Sequence, residues 1–135
     1  MWLNRGYELE DRISTELQRL DGATVQTEKE LTRTYGWLAS SVDFLVETPD
    51  QLVFVQVKYL STRRKESVNI NKFLSSIRHI MSQHPSKNKP FVGLWVSRLH
   101  PFNDNETLLN SQNIHVVSCF DSMDTLVAKT VKYFT

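Results

Sequence analysis

The sequence predicts an α/β domain with a central mixed β-sheet flanked by helices. Segments whose apolar residues recur at helical spacing alternate along the chain with apolar runs of strand length, and this alternation is typical of helices packed on a sheet. With 40% hydrophobic and 23% charged residues, the composition is that of a folded globular chain. The 135 residues contain no linker rich in proline, glycine or serine, so residues 1–135 are expected to form a single domain.

An amphipathic helix opens the chain. Leu9, Ile13 and Leu17 recur at helical spacing with charged residues between them, and a glycine follows as a stop. We therefore expect a helix over roughly residues 6–20. The next segment, residues 23–33, alternates only in part between apolar and polar residues, and we interpret it as a polar strand.

Two strands joined by a tight turn form the clearest pattern in the sequence. Residues 41–47 and 51–60 are rich in β-branched and aromatic residues, and Pro49 lies in the short turn between them. In the second strand three valines occupy one face, so Gln56 and Lys58 share the other face with two apolar residues.

The second half of the chain alternates helices with strands. Its strands are nearly continuous apolar runs, which is typical of strands covered on both faces. We first expect a helix that apolar residues mark from Phe73 to Met81 and that ends near His84. A strand over 90–97, a short helix over 104–111 and a strand over 114–120 follow. We expect the last helix to be capped by Asp121 and to run through Tyr133.

Charge and residue usage exclude several classes of protein. Sixteen basic and fifteen acidic residues leave a net charge of +1, so a nucleic-acid partner has to be argued from where the charges lie. The single cysteine excludes a disulfide framework and a thiolate-rich metal site. No glycine-rich phosphate loop is present to bind a nucleotide cofactor.

Membrane insertion and secretion are not expected either. The chain starts with charged residues where a signal peptide would have an apolar region. It also has no apolar run of about 20 residues, the length that spans a bilayer. We therefore expect an intracellular protein with no membrane partner, cytoplasmic or, in a eukaryote, nuclear.

Polar residues stand in the predicted hairpin where a buried strand favours apolar ones. Gln56 and Lys58 point to the same side of one strand, and Asp43 lies on the neighbouring strand. Burying such groups costs several kcal/mol unless they are paired or bound to something. They therefore form either a functional site, a structural Asp–Lys pair, or a strand end that emerges into solvent.

Three short motifs lie in order along these elements: G-Y-E-L-E in the first helix, V-D-F-L-V-E in the first hairpin strand and V-Q-V-K in the second. Together, over about residues 6–60, they resemble the PD-(D/E)XK nuclease superfamily and are most similar to its Mrr-like branch, which shares the Q-x-K variant. The resemblance implies a restriction endonuclease-like fold whose active site contains Glu10, Asp43, Gln56 and Lys58. The chain departs from the superfamily's name in two ways, because a valine replaces the proline and Gln56 replaces the acidic residue.

The resemblance also implies a chemistry. Mg²⁺, or Mn²⁺ in its place, would be held by Asp43, the side-chain oxygen of Gln56 and the main-chain carbonyl of Val57. Glu10 would act on the ion directly or through water, and Lys58 would orient or help deprotonate the attacking water. We expect a Mg²⁺-dependent endodeoxyribonuclease, structure-selective or targeted by a partner, that forms a homodimer.

Alternatives remain open for one residue and for the function. Glu8 is the alternative to Glu10, although Glu10 lies nearer to the helix face that turns to the sheet. A non-catalytic nucleic-acid-binding or assembly module with the same fold is the alternative function, because Gln56 removes one negative charge from the metal site. An unrelated α/β interaction domain in which Asp43 and Lys58 simply pair is a further alternative.

Basic residues after the second hairpin strand are the candidates for phosphate contacts. They are Arg63, Arg64 and Lys65 directly after the strand, and Lys72 and Arg78 along the next helix. The alternative is that they form a solvated surface. Trp37 lies in a segment that we interpret as a loop, where its ring can stack on a base, but packing of the ring is the favoured interpretation.

Overall fold

The computed structural model describes the backbone of residues 2–135 and the side chains from Arg5 onward. Helices and strands alternate along this part of the chain, as the apolar patterning predicts. The elements are α1 (Trp2–Leu17), β1 (Thr24–Thr27), α2 (Glu28–Tyr35), a 3-10 helix (Trp37–Ala39), β2 (Phe44–Glu47), β3 (Leu52–Lys58), α3 (Glu66–Met81), β4 (Phe91–Ser97), α4 (Asn103–Ser111), β5 (Ile114–Ser118) and α5 (Met123–Lys132).

The strands form one mixed sheet in the order β1-β2-β3-β4-β5. The pairs β1–β2 and β2–β3 are antiparallel, whereas β3–β4 and β4–β5 are parallel. Thr48 closes the β2–β3 hairpin, because its N–H donates to the Gln51 carbonyl (2.9 Å) and its Oγ1 accepts from the N–H of Gln51 (3.1 Å). The predicted α/β class, with a mixed sheet flanked by helices, is confirmed.

Two apolar layers cover the sheet, one on each face. Val53, Val55 and Val57 of β3 face the layer that contains the apolar residues of α1 and α5. Leu52 and Phe54 face the opposite layer, to which α2, α3 and α4 contribute. The predicted alternation of β3 is therefore confirmed, and it places Gln56 and Lys58 on the face that Leu52 and Phe54 share.

The prediction of a strand over residues 23–33 is wrong for the second half of this segment. The chain is extended only over β1 and then forms α2. A capping box begins this helix: the Thr27 side chain accepts from the Glu30 N–H, and the Glu30 carboxylate accepts from the Thr27 N–H (3.1 Å). These reciprocal bonds satisfy free donors of the first turn and favour a helix where strand alternation was weak.

The other boundaries differ from the predictions by a few residues. Helix α1 begins at Trp2 and ends at Leu17 rather than spanning 6–20. Helix α5 is capped by Ser122, whose Oγ accepts from the Thr125 N–H (3.1 Å), and not by Asp121. Of the helices that the structure describes, none combines the length and the apolar character needed to cross a membrane.

Thr27→Ala is expected to lower the free energy of unfolding by about 1 kcal/mol, because it removes the side-chain cap of α2. Urea denaturation measures the change. Thr34→Ala, on the exposed face of the same helix, serves as the control and is expected to leave stability unchanged or slightly higher. Equal stability of Thr27→Ala and the wild type would contradict the capping assignment.

Candidate active site

Asp43 lies at the entrance to β2 and is fixed by the end of β3. Its N–H donates to the Val55 carbonyl (2.9 Å), which extends the hairpin ladder by one residue. Its Oδ2 accepts from the Val57 N–H at 2.7 Å, and the residue is only 8% exposed. The carboxylate is therefore buried and held in one position where β2 begins and β3 ends.

Gln56 and Lys58 meet beside Asp43 on the same face of β3. With the amide oriented to satisfy both of its neighbours, Gln56 donates to the Ser41 carbonyl and its Oε1 accepts from Lys58 Nζ at 3.2 Å. Gln56 is 4% exposed, whereas Lys58 is half-buried. The ammonium group is thus held at the mouth of the site with donors left for a bound molecule.

Glu10 faces this strand end from α1. Its side chain is half-buried, and burial is the main cause that raises its pKa, with a smaller increase from the charge of Glu28. Lys58 is close enough to lower the same pKa. Glu8 is exposed, so α1 directs Glu10 rather than Glu8 towards the cluster.

The Asp43 carboxyl has a pKa raised from 3.8 to about 7. Burial is the largest cause, followed by the negative charge of Glu10. The Val57 N–H and Lys58 lower the pKa but do not cancel these effects. Near neutral pH the ionised carboxylate therefore lacks a full compensating charge, which a bound cation would supply.

Glu28 is a member of the cluster that the sequence analysis missed. Its charge raises the pKa of both Glu10 and Asp43, so it lies within electrostatic reach of each. It is the first residue of α2, the helix that Thr27 caps. The T-x-x-E signature of a capping box was the signal that would have placed Glu28 at this helix start.

The donors around the strand end are oxygen atoms of several kinds. Within the part of the chain that the structure describes, no three histidine, cysteine, aspartate or glutamate side chains cluster closely enough to hold a metal on their own. Gln56 and main-chain oxygen would have to complete the set around Asp43 and Glu10. In a strand the N–H and C=O of one residue point to the same side, so the Val57 carbonyl is directed towards the Asp43 side of β3.

The basic residues predicted to contact phosphate are divided between two surfaces. Arg64 and Lys65 line a cleft of about 480 Å³ together with Lys58. Arg63 is held beside it, because its Nε donates to the His100 carbonyl (2.7 Å) and its guanidinium lies over the Phe102 ring (5.1 Å).

The remaining two predicted contacts, Lys72 and Arg78, lie elsewhere on α3. Both side chains are exposed. Lys72 lines a different groove, and Arg78 Nη2 lies 3.5 Å from the hydroxyl of Ser75, which lines the same groove. The predicted basic set is therefore not one continuous patch.

The favoured interpretation of Trp37 as a packed residue is wrong. The segment around Trp37, which was interpreted as a loop, follows α2 directly, and Trp37 begins the 3-10 helix. The Trp37 side chain is 80% exposed. Ala39 is the buried residue of this 3-10 helix instead.

No protein-family model matches the chain, and neither does a curated protein or a solved structure. Function is therefore inferred from the polar groups at the end of β3 and from their order along the chain. Those groups are two carboxylates, an amide and an ammonium, with a third carboxylate close by.

Proposed function

We propose that this chain is a metal-dependent endonuclease that hydrolyses phosphodiester bonds in DNA and has a restriction endonuclease-like fold of the Mrr-like PD-(D/E)XK type. The observation that carries the proposal is the buried Asp43 carboxylate beside the Gln56–Lys58 pair. Glu10 is coupled to it from the first helix. The order of these residues along α1, β2 and β3 is the order of the superfamily's motifs.

A simple structural pair of Asp43 and Lys58 explains the site less well. Among the ion pairs of the described residues, none joins Asp43 to Lys58. Asp43 is held by a main-chain N–H, and Lys58 donates to the amide of Gln56. Two acidic neighbours also raise the pKa of Asp43, which a purely structural pair does not require.

The donor set fits Mg²⁺ or Mn²⁺. Both ions favour oxygen ligands, and the buried Asp43 carboxylate gains from a nearby divalent charge. Asp43, Gln56 Oε1 and the Val57 carbonyl would hold the ion, with Glu10 directly or through water. When bound, the ion supplies Lewis-acid stabilisation of the phosphate and a more acidic water.

The side chains then divide the remaining work. Lys58 Nζ donates to the attacking water and to a non-bridging phosphate oxygen, which orients the water and stabilises the developing charge. Glu10, whose pKa is raised, accepts a hydrogen bond from that water. Attack forms a bond from the water oxygen to phosphorus and breaks the bond to the departing 3′ oxygen, while the proton of the attacking water passes to Glu10 and a solvent water protonates the 3′ oxygen.

DNA is the proposed partner because a basic cleft adjoins the site. Arg64 and Lys65 line it with Lys58, where they would neutralise phosphates next to the scissile bond. The described helices all pack on the sheet, and none is left over as a sequence-reading element. We therefore propose cutting that is structure-selective or targeted by a partner, by a homodimer where both strands are cut.

A non-catalytic nucleic-acid-binding or assembly module is the second candidate, and the amide of Gln56 favours it. Both ends of that amide are satisfied without a cation, by the Ser41 carbonyl and by Lys58 Nζ. Glutamine also brings no charge to the site. Such a module would bind DNA through its basic cleft without binding a divalent ion at Asp43.

Incubation with labelled duplex, single-stranded and four-way-junction DNA separates the two candidates. Each substrate is combined with Mg²⁺, Mn²⁺ or EDTA. The nuclease proposal predicts products with either metal and none with EDTA. DNA binding without cleavage under every condition would favour the non-catalytic module.

Glu10→Gln is expected to slow cleavage by about 10- to 100-fold, because it removes a carboxylate that supports the metal site. Glu8→Gln, two residues away on the exposed face of α1, is the matched control and is expected to cleave at the wild-type rate. Initial rates at saturating DNA measure both. A slow Glu8→Gln together with an unaffected Glu10→Gln would reverse the assignment.

A further inference from the structure

A second groove lies beside the candidate active site, on the side of the 3-10 helix. It measures about 480 Å³. Apolar side chains and small polar groups share its lining, which includes Trp37, Leu38, Ser40, Ser41, Val68 and Lys72. Trp37, Leu38 and Val68 are all exposed, so the groove presents an apolar surface to solvent.

The backbone that carries Trp37 is anchored in the protein. Gly36 ends α2 with φ of 88°, a left-handed conformation that favours glycine and turns the chain outward. Ser76 Oγ donates to the Leu38 carbonyl (2.6 Å) and accepts from the Ser41 N–H (3.3 Å). The exposed indole therefore projects from a fixed support.

The groove borders the candidate active site. Ser41 lines the groove, and its carbonyl accepts from the amide of Gln56. Gln56 in turn contacts Lys58, which lines the basic cleft on the other side. A single residue, Ser41, thus separates the apolar groove from the groups proposed to cut.

The charges around the groove favour a polyanion. Among the described residues that line it there is no carboxylate. Lys72 lies at its wall, and Arg78 contacts Ser75, which also lines the groove. An indole face with basic groups at its rim is the combination that binds single-stranded nucleic acid by stacking.

We propose that this groove holds an unpaired base of the substrate, stacked on Trp37, so that the protein acts on single-stranded or locally unpaired DNA. In a duplex both faces of a base are covered by its neighbours, and only an unstacked base reaches the indole. The substrate class rests on the nuclease proposal, whereas binding in the groove does not require cleavage.

Fluorescence anisotropy in EDTA tests the groove without cleavage. The probes are a thymidine oligonucleotide of about ten residues, an abasic sugar-phosphate strand of the same length, and a duplex. Trp37→Ala is compared with Trp37→Phe, which keeps an aromatic face. Phe120→Ala removes another exposed aromatic side chain, located after β5, and is the matched control.

Trp37→Ala is expected to weaken thymidine binding by about 5- to 100-fold, the range for loss of one stacked base. We expect Trp37→Phe to recover most of the affinity and Phe120→Ala to bind as the wild type does. The abasic strand should bind wild type and Trp37→Ala equally. Duplex binding should be unchanged.

Several results would overturn the groove proposal. They are unchanged thymidine binding by Trp37→Ala, equal binding of abasic and thymidine strands by the wild type, and conversion of a dimer to a monomer by Trp37→Ala with DNA affinity intact. The last would make a second copy the occupant. If thymidine binding depends on Trp37 but no DNA is cleaved in Mg²⁺ or Mn²⁺, the groove proposal is supported and the nuclease proposal is refuted. If DNA is cleaved in these metals but thymidine binding does not depend on Trp37, the nuclease proposal is supported and the groove proposal is refuted.

Discussion

Lys58→Ala is expected to reduce DNA cleavage by at least about 1,000-fold, the upper range for losing one preorganised donor to transition-state charge. Lys58 Nζ is held by Gln56 Oε1 at 3.2 Å beside the buried Asp43, and alanine leaves no cation at that position. The residue is half-buried at a strand end, so the melting temperature should change little. Single-turnover rates at saturating DNA measure the effect.

Lys65→Ala is the matched control for this prediction. Lys65 lines the same cleft as Lys58 but is exposed at the start of α3. Its removal should weaken DNA binding and reduce its salt dependence by about one phosphate contact, with an unchanged rate once DNA is saturating. A fully active Lys58→Ala, or equal losses in both variants, would refute the catalytic role of Lys58.

Asp43→Asn is expected to abolish metal-dependent cleavage and to stabilise the metal-free protein at high pH. Asparagine keeps an acceptor for the Val57 N–H but carries no charge. Because the Asp43 pKa is raised from 3.8 to about 7 in the folded protein, the folded state holds its proton more tightly than the unfolded state. The contribution of Asp43 to wild-type stability therefore falls as pH rises from about 4 to about 7 and stays low above that range.

The size of this effect follows from the shift. Asp43→Asn should match the wild type near pH 4 and exceed it by roughly 2 to 4 kcal/mol at pH 8 in EDTA. Chemical denaturation at both pH values measures the difference. Mg²⁺ should then stabilise the wild type at pH 8 but not the variant.

Asp50→Asn is the control for charge removal in general. Asp50 is exposed in the turn of the β2–β3 hairpin. The stability difference between this variant and the wild type should be small at both pH values. A constant Asp43→Asn difference from pH 4 to pH 8 would contradict the burial of an uncompensated charge.

The sequence predicted the hairpin correctly because one physical pattern dominates it. The valines of β3 alternate with Leu52 and Phe54 between two apolar layers. The two-residue repeat of a strand then determines on which face each side chain lies. Gln56 and Lys58 follow from the same alternation. The fold class and the meeting of these two side chains could therefore be predicted from the residues alone.

The misplaced features depend on contacts that periodicity does not encode. Helix α2 is short, and the Thr27–Glu30 capping box rather than an apolar stripe begins it. Because α2 was not predicted, Glu28 was not identified as a member of the site, and Trp37 was assigned to a loop with its ring packed. The chain that follows the exposed indole is held by the buried Ala39 and by the bond from Ser76 to the Leu38 carbonyl, a tertiary arrangement with no local signature.

The nuclease site is tested most directly by single-turnover cleavage of single-stranded DNA by wild type, Lys58→Ala and Asp43→Asn, purified in parallel. Each protein is assayed in Mg²⁺, in Mn²⁺ and in EDTA. The proposed site predicts cleavage by the wild type in both metals and none in EDTA, no cleavage by Asp43→Asn, and a rate at least about 1,000-fold lower for Lys58→Ala. Cleavage by both variants at the wild-type rate, or wild-type cleavage that persists in EDTA, would contradict it.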